Sequence, residues 1–124
     1  MGAIPLCKIL VVDDSHAAAD SLCMLLTLKG HGAQVAYTGA AAIQSVAVLA
    51  PDVVLLDIGL TDMTGHEVAK RLRVGGYKNK IVALSGYGEE EDRKAAFSAG
   101  CDHHFTKPMA ITHFEEYLVS VQST

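Results

Sequence analysis

Short apolar segments alternate with longer stretches of helical periodicity five times along this chain of 124 residues. The predicted strands are residues 8–12, 33–37, 52–56, 80–84 and 103–106. Strands that alternate with helices pair in parallel through right-handed crossovers, and the helices then cover both faces of the sheet. The alternation therefore predicts an α/β fold built on a parallel five-stranded sheet.

Signals for helix ends separate the predicted strands. The predicted helices span 15–29, 39–50, 65–74, 89–99 and a last segment from about residue 112. Pro51 cannot continue the second helix. Thr64 with Glu67, and Thr112 with Glu115, have the spacing of a capping box at a helix start.

The composition of the strands predicts their order in the sheet. The runs 9–12, 53–56 and 81–84 are apolar throughout, whereas 33–36 and 103–106 include polar residues. Uniformly apolar strands belong in the interior of a parallel sheet, so the two more polar strands are expected at its edges. The order 2-1-3-4-5 satisfies this requirement and predicts a flavodoxin-like (βα)5 three-layer sandwich.

The overall composition narrows the class of protein. Half of the residues are hydrophobic, the formal net charge is −4, and the chain has the length of one domain, so we expect a single domain over residues 1–124 with its core at about 8–121. An acidic chain without a basic stripe argues against direct nucleic-acid binding. The sequence shows no 20-residue apolar span, no signal peptide and no paired cysteine motif, and we therefore expect a cytoplasmic domain that does not contact membranes.

Polar residues follow four of the predicted strands. They are Asp13 and Asp14 after the first strand, Asp57 after the third, Ser85 and Gly86 after the fourth, and Lys107 and Pro108 after the fifth. Each has an ordinary structural explanation taken alone, such as a helix cap, a turn or a solvated charge. The carboxyl ends of parallel strands meet at one edge of the sheet, however, and that edge is where ligands bind in such folds.

Three carboxylates at one edge indicate a cation site. Such carboxylates repel one another unless a cation neutralises them, and hard oxygen ligands suit Mg²⁺. A carboxylate beside the metal is a candidate nucleophile towards phosphorus, with a lysine and a hydroxyl to share the phosphoryl oxygens. The edge therefore has the parts that phosphoryl transfer to an aspartate requires.

These residues give the chain a resemblance to the receiver domains of two-component response regulators over nearly its whole length. The segments that carry the resemblance are 9–14 (ILVVDD), 54–58 (VLLDI), 63–65 (MTG), 83–86 (ALSG), 99–102 (AGCD) and 105–108 (FTKP). The order, the spacing and the strand context of these segments all agree with the family. The resemblance implies a cis peptide bond between Lys107 and Pro108.

The resemblance also implies a role for each residue at the edge. Asp57 is the implied phosphoacceptor. The implied metal ligands are Asp14 directly, Asp13 through water, Asp57 and the Gly59 carbonyl oxygen. The implied ligands of the phosphoryl group are the Ser85 hydroxyl, the Gly86 N–H and the Lys107 ammonium.

Two positions depart from the usual pattern of the family, and two others are variable within it. His104 stands where an aromatic switch residue is usual, which is similar to receivers of hybrid histidine kinases and other multidomain sensors. Thr61 replaces a proline in the loop after the phosphoacceptor. Gly59 and Tyr87 occupy variable positions that tune dephosphorylation in the family, and Tyr87 is expected to shield the acyl phosphate from water.

The resemblance implies a phosphorelay switch rather than an enzyme. A sensor histidine kinase or a histidine phosphotransfer protein would donate to Asp57, and the change would reach partners through the surface of the fourth helix, fifth strand and fifth helix. We expect a monomer or weak dimer that works alone or beside other domains of a larger sensor. The alternatives are a Mg²⁺-dependent phosphatase, disfavoured because Gly59 replaces its second aspartate, and a degenerate receiver that only binds proteins.

Other charged and titratable residues have structural interpretations. The six histidines lack metal-ligand spacing and are predicted at the surface or on an edge strand. Lys70, Arg71 and Arg73 are predicted to form one solvated face of the third helix.

Overall fold

The computed structural model describes residues 4–86 and 90–122. The strands are β1 (Lys8–Val12), β2 (Gly32–Ala36), β3 (Val53–Asp57), β4 (Lys80–Ser85) and β5 (His103–Thr106). The helices are α1 (His16–Leu28), α2 (Gly39–Leu49), α3 (Gly65–Val74), α4 (Glu90–Ala99) and α5 (Ile111–Gln122). All strand pairs are parallel, and the sheet order is β2-β1-β3-β4-β5, which confirms the flavodoxin-like prediction.

Helices cover both faces of the sheet. Leu10 and Val12 of β1 face the core shared with α2, α3 and α4, while Ile9 and Val11 face the core shared with α1 and α5. Phe114 of α5 is fully buried in the second core. Because interior strands are buried on both faces, they need apolar residues at every position, and this explains their uninterrupted runs.

Several element boundaries differ from the sequence prediction. Asp57 and Ser85 are the last residues of β3 and β4 rather than the first residues after them, and β2 begins at Gly32 rather than at residue 33. Glu89 and Tyr87 lie outside the described residues. Polar residues at strand ends still pair with the neighbouring strand, as Ser85 does with Thr106, and hydrophobicity alone does not reveal this pairing.

The two predicted capping boxes do not form as predicted. Thr64 caps α3 by accepting a hydrogen bond from the Glu67 N–H at 3.1 Å, but the Glu67 carboxylate pairs with Arg71 at 3.0 Å. Thr112 lies inside α5, whose first turn closes on the Ala110 carbonyl instead. The spacing of a capping box therefore does not determine which group its acidic side chain contacts.

His31 is buried, contrary to the prediction that the histidines lie at the surface or on an edge strand. His31 lies shortly after the end of α1 and is 4% exposed. Its Nδ1 accepts a hydrogen bond from the Cys7 N–H at 3.1 Å. This contact holds the segment that enters β1. Burial lowers the pKa of His31, which keeps the accepting nitrogen free of a proton at neutral pH.

Arg73 is a structural residue rather than part of a solvated face. Its guanidinium donates to the carbonyl oxygens of Gly100, Tyr77 and Asn79 at 2.8–2.9 Å and to the Asp102 carboxylate at 2.8 Å. The planar fork of arginine makes such multiple contacts possible. The residue joins the end of α3 to the turns that precede β4 and β5.

We expect Arg73→Ala to lower the free energy of unfolding by about 1–3 kcal/mol, because several hydrogen bonds to a charged group are lost together. Arg71→Ala is the matched control, since Arg71 forms an exposed (i, i+4) pair with Glu67 that is worth about 0.3–0.5 kcal/mol. Urea denaturation of both variants measures the difference. Equal losses for the two arginines would contradict the structural role of Arg73.

Candidate functional site

Three aspartates meet at the carboxyl edge of the sheet. Val12 at the end of β1 pairs with Leu56 of β3, so Asp13 and Asp14 follow beside Asp57. One carboxylate oxygen from each of the three aspartates lies within 4.8 Å of the other two. Asp13 and Asp57 are both 6% exposed. The sheet register therefore brings together the acids that the sequence placed at one edge.

Lys107 lies between two of these carboxylates. Its Nζ is 3.1 Å from Oδ1 of Asp57 and 3.3 Å from Oδ2 of Asp13. Partial burial opposes the ammonium charge, but the hydrogen bonds and charges of Asp57 and Asp13 outweigh it and raise the pKa of Lys107. The lysine is therefore a fixed positive charge beside the acids.

Asp57 is held in an environment that disfavours its charge. Burial is the main cause that raises its pKa, and the charge of Asp13 acts in the same direction. The Gly59 N–H donates to Asp57 Oδ1 at 3.1 Å and, together with Lys107, opposes that shift. A carboxylate in this position favours contact with further positive charge.

The loop after Asp57 is fixed by contacts that sequence reasoning missed. Gly65 begins α3 so close to β3 that a Cβ there would lie 2.6 Å from the Asp57 carbonyl oxygen, which only glycine permits. Asp62 accepts hydrogen bonds from the N–H groups of Gly39 and Ala40 at 2.9 and 3.0 Å, and these bonds lower its pKa. The loop is thus tied to the start of α2. The two residues of each of these hydrogen bonds are 22 or 23 positions apart in the sequence, so no local sequence pattern reveals the contact.

Ser85 and His104 form a buried pair at the same edge. The Ser85 Oγ is 2.8 Å from His104 Nε2, and both residues are 8% exposed. Ser85 also lines a cleft of about 170 Å³ together with Asp57, Gly59, Gly86, His66 and Asp92. The cleft gives a small group access to Asp57 and Ser85 from the same space.

The edge collects the predicted site residues as a group. Asp13, Asp14 and Asp57 lie together, and Lys107 contacts Asp13 and Asp57. Ser85, Gly86 and Gly59 line the adjoining cleft. The Lys107–Pro108 peptide bond is cis, as predicted. His66 was not singled out by sequence reasoning, yet it lines the cleft, and its buried Nε2 has no hydrogen-bond partner among residues 4–86 and 90–122.

The donor set fits a small divalent cation. All three ligand groups are carboxylates, the oxygens lie close enough to share one ion, and Asp14 is partly exposed. Oxygen ligands with room for water are the preference of Mg²⁺. Lys107 supplies only one positive charge to three carboxylates, so the acids retain a net negative charge that a divalent ion would offset.

A parallel sheet of this order, with acids, a lysine and a hydroxyl at its carboxyl edge, defines a class of small α/β signalling domains. A profile of the response regulator receiver domain matches residues 9–119. The chain belongs to this family and is a receiver domain of two-component signalling.

Two mycobacterial regulatory proteins are similar to this chain in sequence. The chain is 38% identical over 106 residues to the transcriptional regulatory protein KdpE of Mycobacterium tuberculosis, which covers 86% of this chain and 46% of that protein. It is 33% identical over 116 residues to the response regulator MprA of Mycobacterium avium, covering 94% of this chain and 50% of that protein. The chain thus spans about half the length of these relatives.

A solved receiver domain supports the architecture independently. The CheY-like response regulator receiver domain protein from Methanospirillum hungatei superimposes with a TM-score of 0.84 at 26% identity, covering 96% of this chain and 98% of that one.

Among residues 4–86 and 90–122, no helix has the length and apolar character needed to cross a membrane.

Proposed function

We propose that Asp57 accepts a phosphoryl group from the phosphohistidine of a sensor histidine kinase or a histidine phosphotransfer protein. The observation that carries the proposal is the position of the Asp57 carboxylate, which lies beside Lys107 and two further acids and opens into a small cleft. This combination provides a nucleophile, a fixed positive charge and a space that fits one phosphoryl group.

The transfer exchanges one bond to phosphorus for another. A carboxylate oxygen of Asp57 forms the new O–P bond while the P–N bond to the donor imidazole breaks, and the imidazole leaves with the electron pair and takes up a proton. Lys107 stabilises the charge on the transferring group. The Ser85 hydroxyl and the Gly86 N–H would bind its oxygens, because both residues line the same cleft as Asp57.

Asp13, Asp14 and Asp57 are the residues that would hold Mg²⁺, with the Gly59 carbonyl as a proposed further ligand. A bound Mg²⁺ supplies charge neutralisation for the phosphoryl oxygens and the carboxylates. Asp13 is held in place for this role because its Oδ1 accepts a hydrogen bond from the Ser15 N–H at 2.9 Å.

The phosphorylated domain acts as a switch on protein partners. A phosphoryl group adds a charge of about −1.5 to −2 and three acceptor oxygens. This charge shifts an equilibrium of the surface made by α4, β5 and α5, with Ser85 and His104 as the connecting side chains. Its partners include the kinase and other domains of a larger protein. The similar protein KdpE is named a transcriptional regulatory protein.

Labelling with a small phosphoryl donor tests the proposed function. We expect acetyl phosphate or phosphoramidate with Mg²⁺ to add one phosphoryl group to the chain, measured by intact mass. Chelation of divalent ions should suppress the reaction, because the carboxylates then retain their negative charge towards the donor. No mass increase with either donor would contradict the proposal.

We expect Mg²⁺ to raise the thermal stability of the chain. At about 100 times its dissociation constant, a ligand that binds only the folded state adds about 2.7 kcal/mol. Asp14→Ala should remove this response, whereas Asp20→Ala, an exposed aspartate on α1, should keep it. Thermal unfolding at several Mg²⁺ concentrations measures the effect, and equal stabilisation of both variants would place the cation elsewhere.

A further inference from the structure

His104 faces the interior of the protein. In the sheet register, His104 of β5 pairs with Ala83 of β4, and Ser85 pairs with Thr106. Alternate strand residues share a face, so His104 and Ser85 project towards the core covered by α4, where Ala83, Ala96 and Ala99 are buried. The neighbouring His103 projects to the opposite face, where its ring stacks on Tyr117 at a centroid distance of 4.7 Å.

The small residues of α4 make room for the inward imidazole. Ala96 and Ala99 are 0% and 4% exposed and are the buried residues of α4 (Glu90–Ala99). The imidazole Nε2 lies 2.8 Å from the hydroxyl oxygen of Ser85, a residue that lines the cleft beside Asp57.

The charges around His104 favour its neutral form. Burial lowers its pKa, Arg93 on α4 and His66 on α3 act in the same direction, and Asp92 on α4 opposes them. A neutral imidazole carries one proton, on either Nδ1 or Nε2. The position of that proton decides whether His104 donates to Ser85 or accepts from it.

The two arrangements have different consequences for phosphoryl binding. If Nε2 accepts, the Ser85 O–H proton is used within the pair and Ser85 has no proton left to offer a phosphoryl oxygen. If Nε2 carries the proton, it donates to Ser85 Oγ, and the Ser85 O–H is directed to another acceptor. A hydroxyl can accept one hydrogen bond and donate another at the same time.

We propose that His104 is a positioning residue for phosphoryl binding: its Nε2–H donates to Ser85 Oγ and directs the Ser85 hydroxyl proton towards the phosphoryl group on Asp57. This inference rests on the proposed function. The phosphoryl oxygens accept from Ser85, Ser85 accepts from His104, and each hydrogen bond in such a chain polarises the next. His104 is thus connected to the phosphoryl group through the Ser85 hydroxyl.

The position of the proton on His104 is directly measurable by NMR. We expect long-range ¹H–¹⁵N correlation spectra of the whole chain with Mg²⁺ and beryllofluoride to show a protonated Nε2 at His104. The signals are assigned by their loss in His104→Gln. An unprotonated Nε2 with the proton on Nδ1 would overturn the proposal.

Two substitutions separate hydrogen bonding from space filling. His104→Gln keeps an N–H donor on a side chain of similar reach, whereas His104→Phe keeps a ring without the donor. We expect the Phe variant to bind beryllofluoride roughly 3- to 10-fold more weakly than the wild type, the effect of one hydrogen bond, and the Gln variant to retain more of the affinity. A space-filling role predicts the opposite order, which would contradict the proposal.

The Ser85→Ala background supplies the second control. Because His104 acts through Ser85, His104→Phe should have no further effect on beryllofluoride affinity when Ser85 is alanine. His113→Gln, an exposed histidine on α5, should behave as the wild type throughout. If the wild type binds beryllofluoride but the His104 effect persists without Ser85, the inference fails and the proposed function stands; if the wild type does not bind it, both fail.

Discussion

Asp57→Asn is expected to abolish phosphoryl uptake from acetyl phosphate and from a phosphorylated histidine donor. The amide has nearly the same size as the carboxylate and still accepts a hydrogen bond from the Gly59 N–H, but it is not a nucleophile towards phosphorus. Intact mass after incubation with donor and Mg²⁺ measures the loss. The effect is all-or-none, because no residual reaction at this position can form an acyl phosphate.

A matched control separates the chemistry of Asp57 from a general effect of charge. Asp20→Asn makes the same change at an exposed position on α1, where the side chain accepts a hydrogen bond from the Tyr37 hydroxyl. This variant should take up phosphoryl at the wild-type rate. Persistent labelling of Asp57→Asn, or equal loss in Asp20→Asn, would contradict the assignment of Asp57 as acceptor.

Lys107→Ala is expected to slow phosphoryl uptake by about 10- to 100-fold, which corresponds to one hydrogen bond from a charged donor. The Nζ now within 3.3 Å of both Asp57 and Asp13 would no longer stabilise charge on the transferring group. The rate of mass increase at several donor concentrations measures the change. Addition of Mg²⁺ in excess should not restore the rate, because the ammonium that lies 3.1 Å from Asp57 Oδ1 would still be missing.

Lys78→Ala is the control for the loss of a positive charge. Lys78 is exposed and lies before β4, at the opposite edge of the sheet from the aspartates. Its removal should leave the rate of uptake unchanged. A wild-type rate in Lys107→Ala would show that the lysine does not act on the transferring group.

The sheet order and the position of the acidic cluster are predictable from the sequence because both depend on local patterns. Apolar runs of interior strands and polar residues at strand ends follow from the requirement that a parallel sheet is buried on both faces. Asp13 and Asp57 then meet because adjacent parallel strands end at the same edge. The cis Lys107–Pro108 bond was predictable only from the resemblance to the family.

Contacts between distant side chains were not predictable in this way. Arg73 lies near other basic residues, as a residue on a solvated helix face would. Its guanidinium nevertheless contacts Gly100 and Asp102, which are 27 and 29 residues away in the sequence. The sequence around His31 does not predict that its side chain is buried. The burial depends on how the segment before β1 packs against the end of α1. Such contacts are decided by the folded arrangement of loops rather than by periodicity.

The capping residues show the same division. Thr64, Thr38 and Ser15 each accept a hydrogen bond from an N–H three residues later, as expected for their residue types. In the expected capping box, the Glu67 carboxylate would accept from the backbone N–H of Thr64. It pairs instead with Arg71, one turn later in α3. Residue type predicts the capacity to bond, whereas the neighbours decide the bond that forms.

Mapping the phosphoryl group is the most direct test of the central claim. The chain is labelled with acetyl phosphate and Mg²⁺ and then reduced with borohydride, which converts a phosphorylated aspartate to homoserine and leaves phosphoserine and phosphohistidine unchanged. Peptide mass spectrometry then locates the converted residue. The account predicts conversion at Asp57 alone. Conversion at Asp13 or Asp14, or a phosphoryl group retained on a serine or histidine, would contradict it.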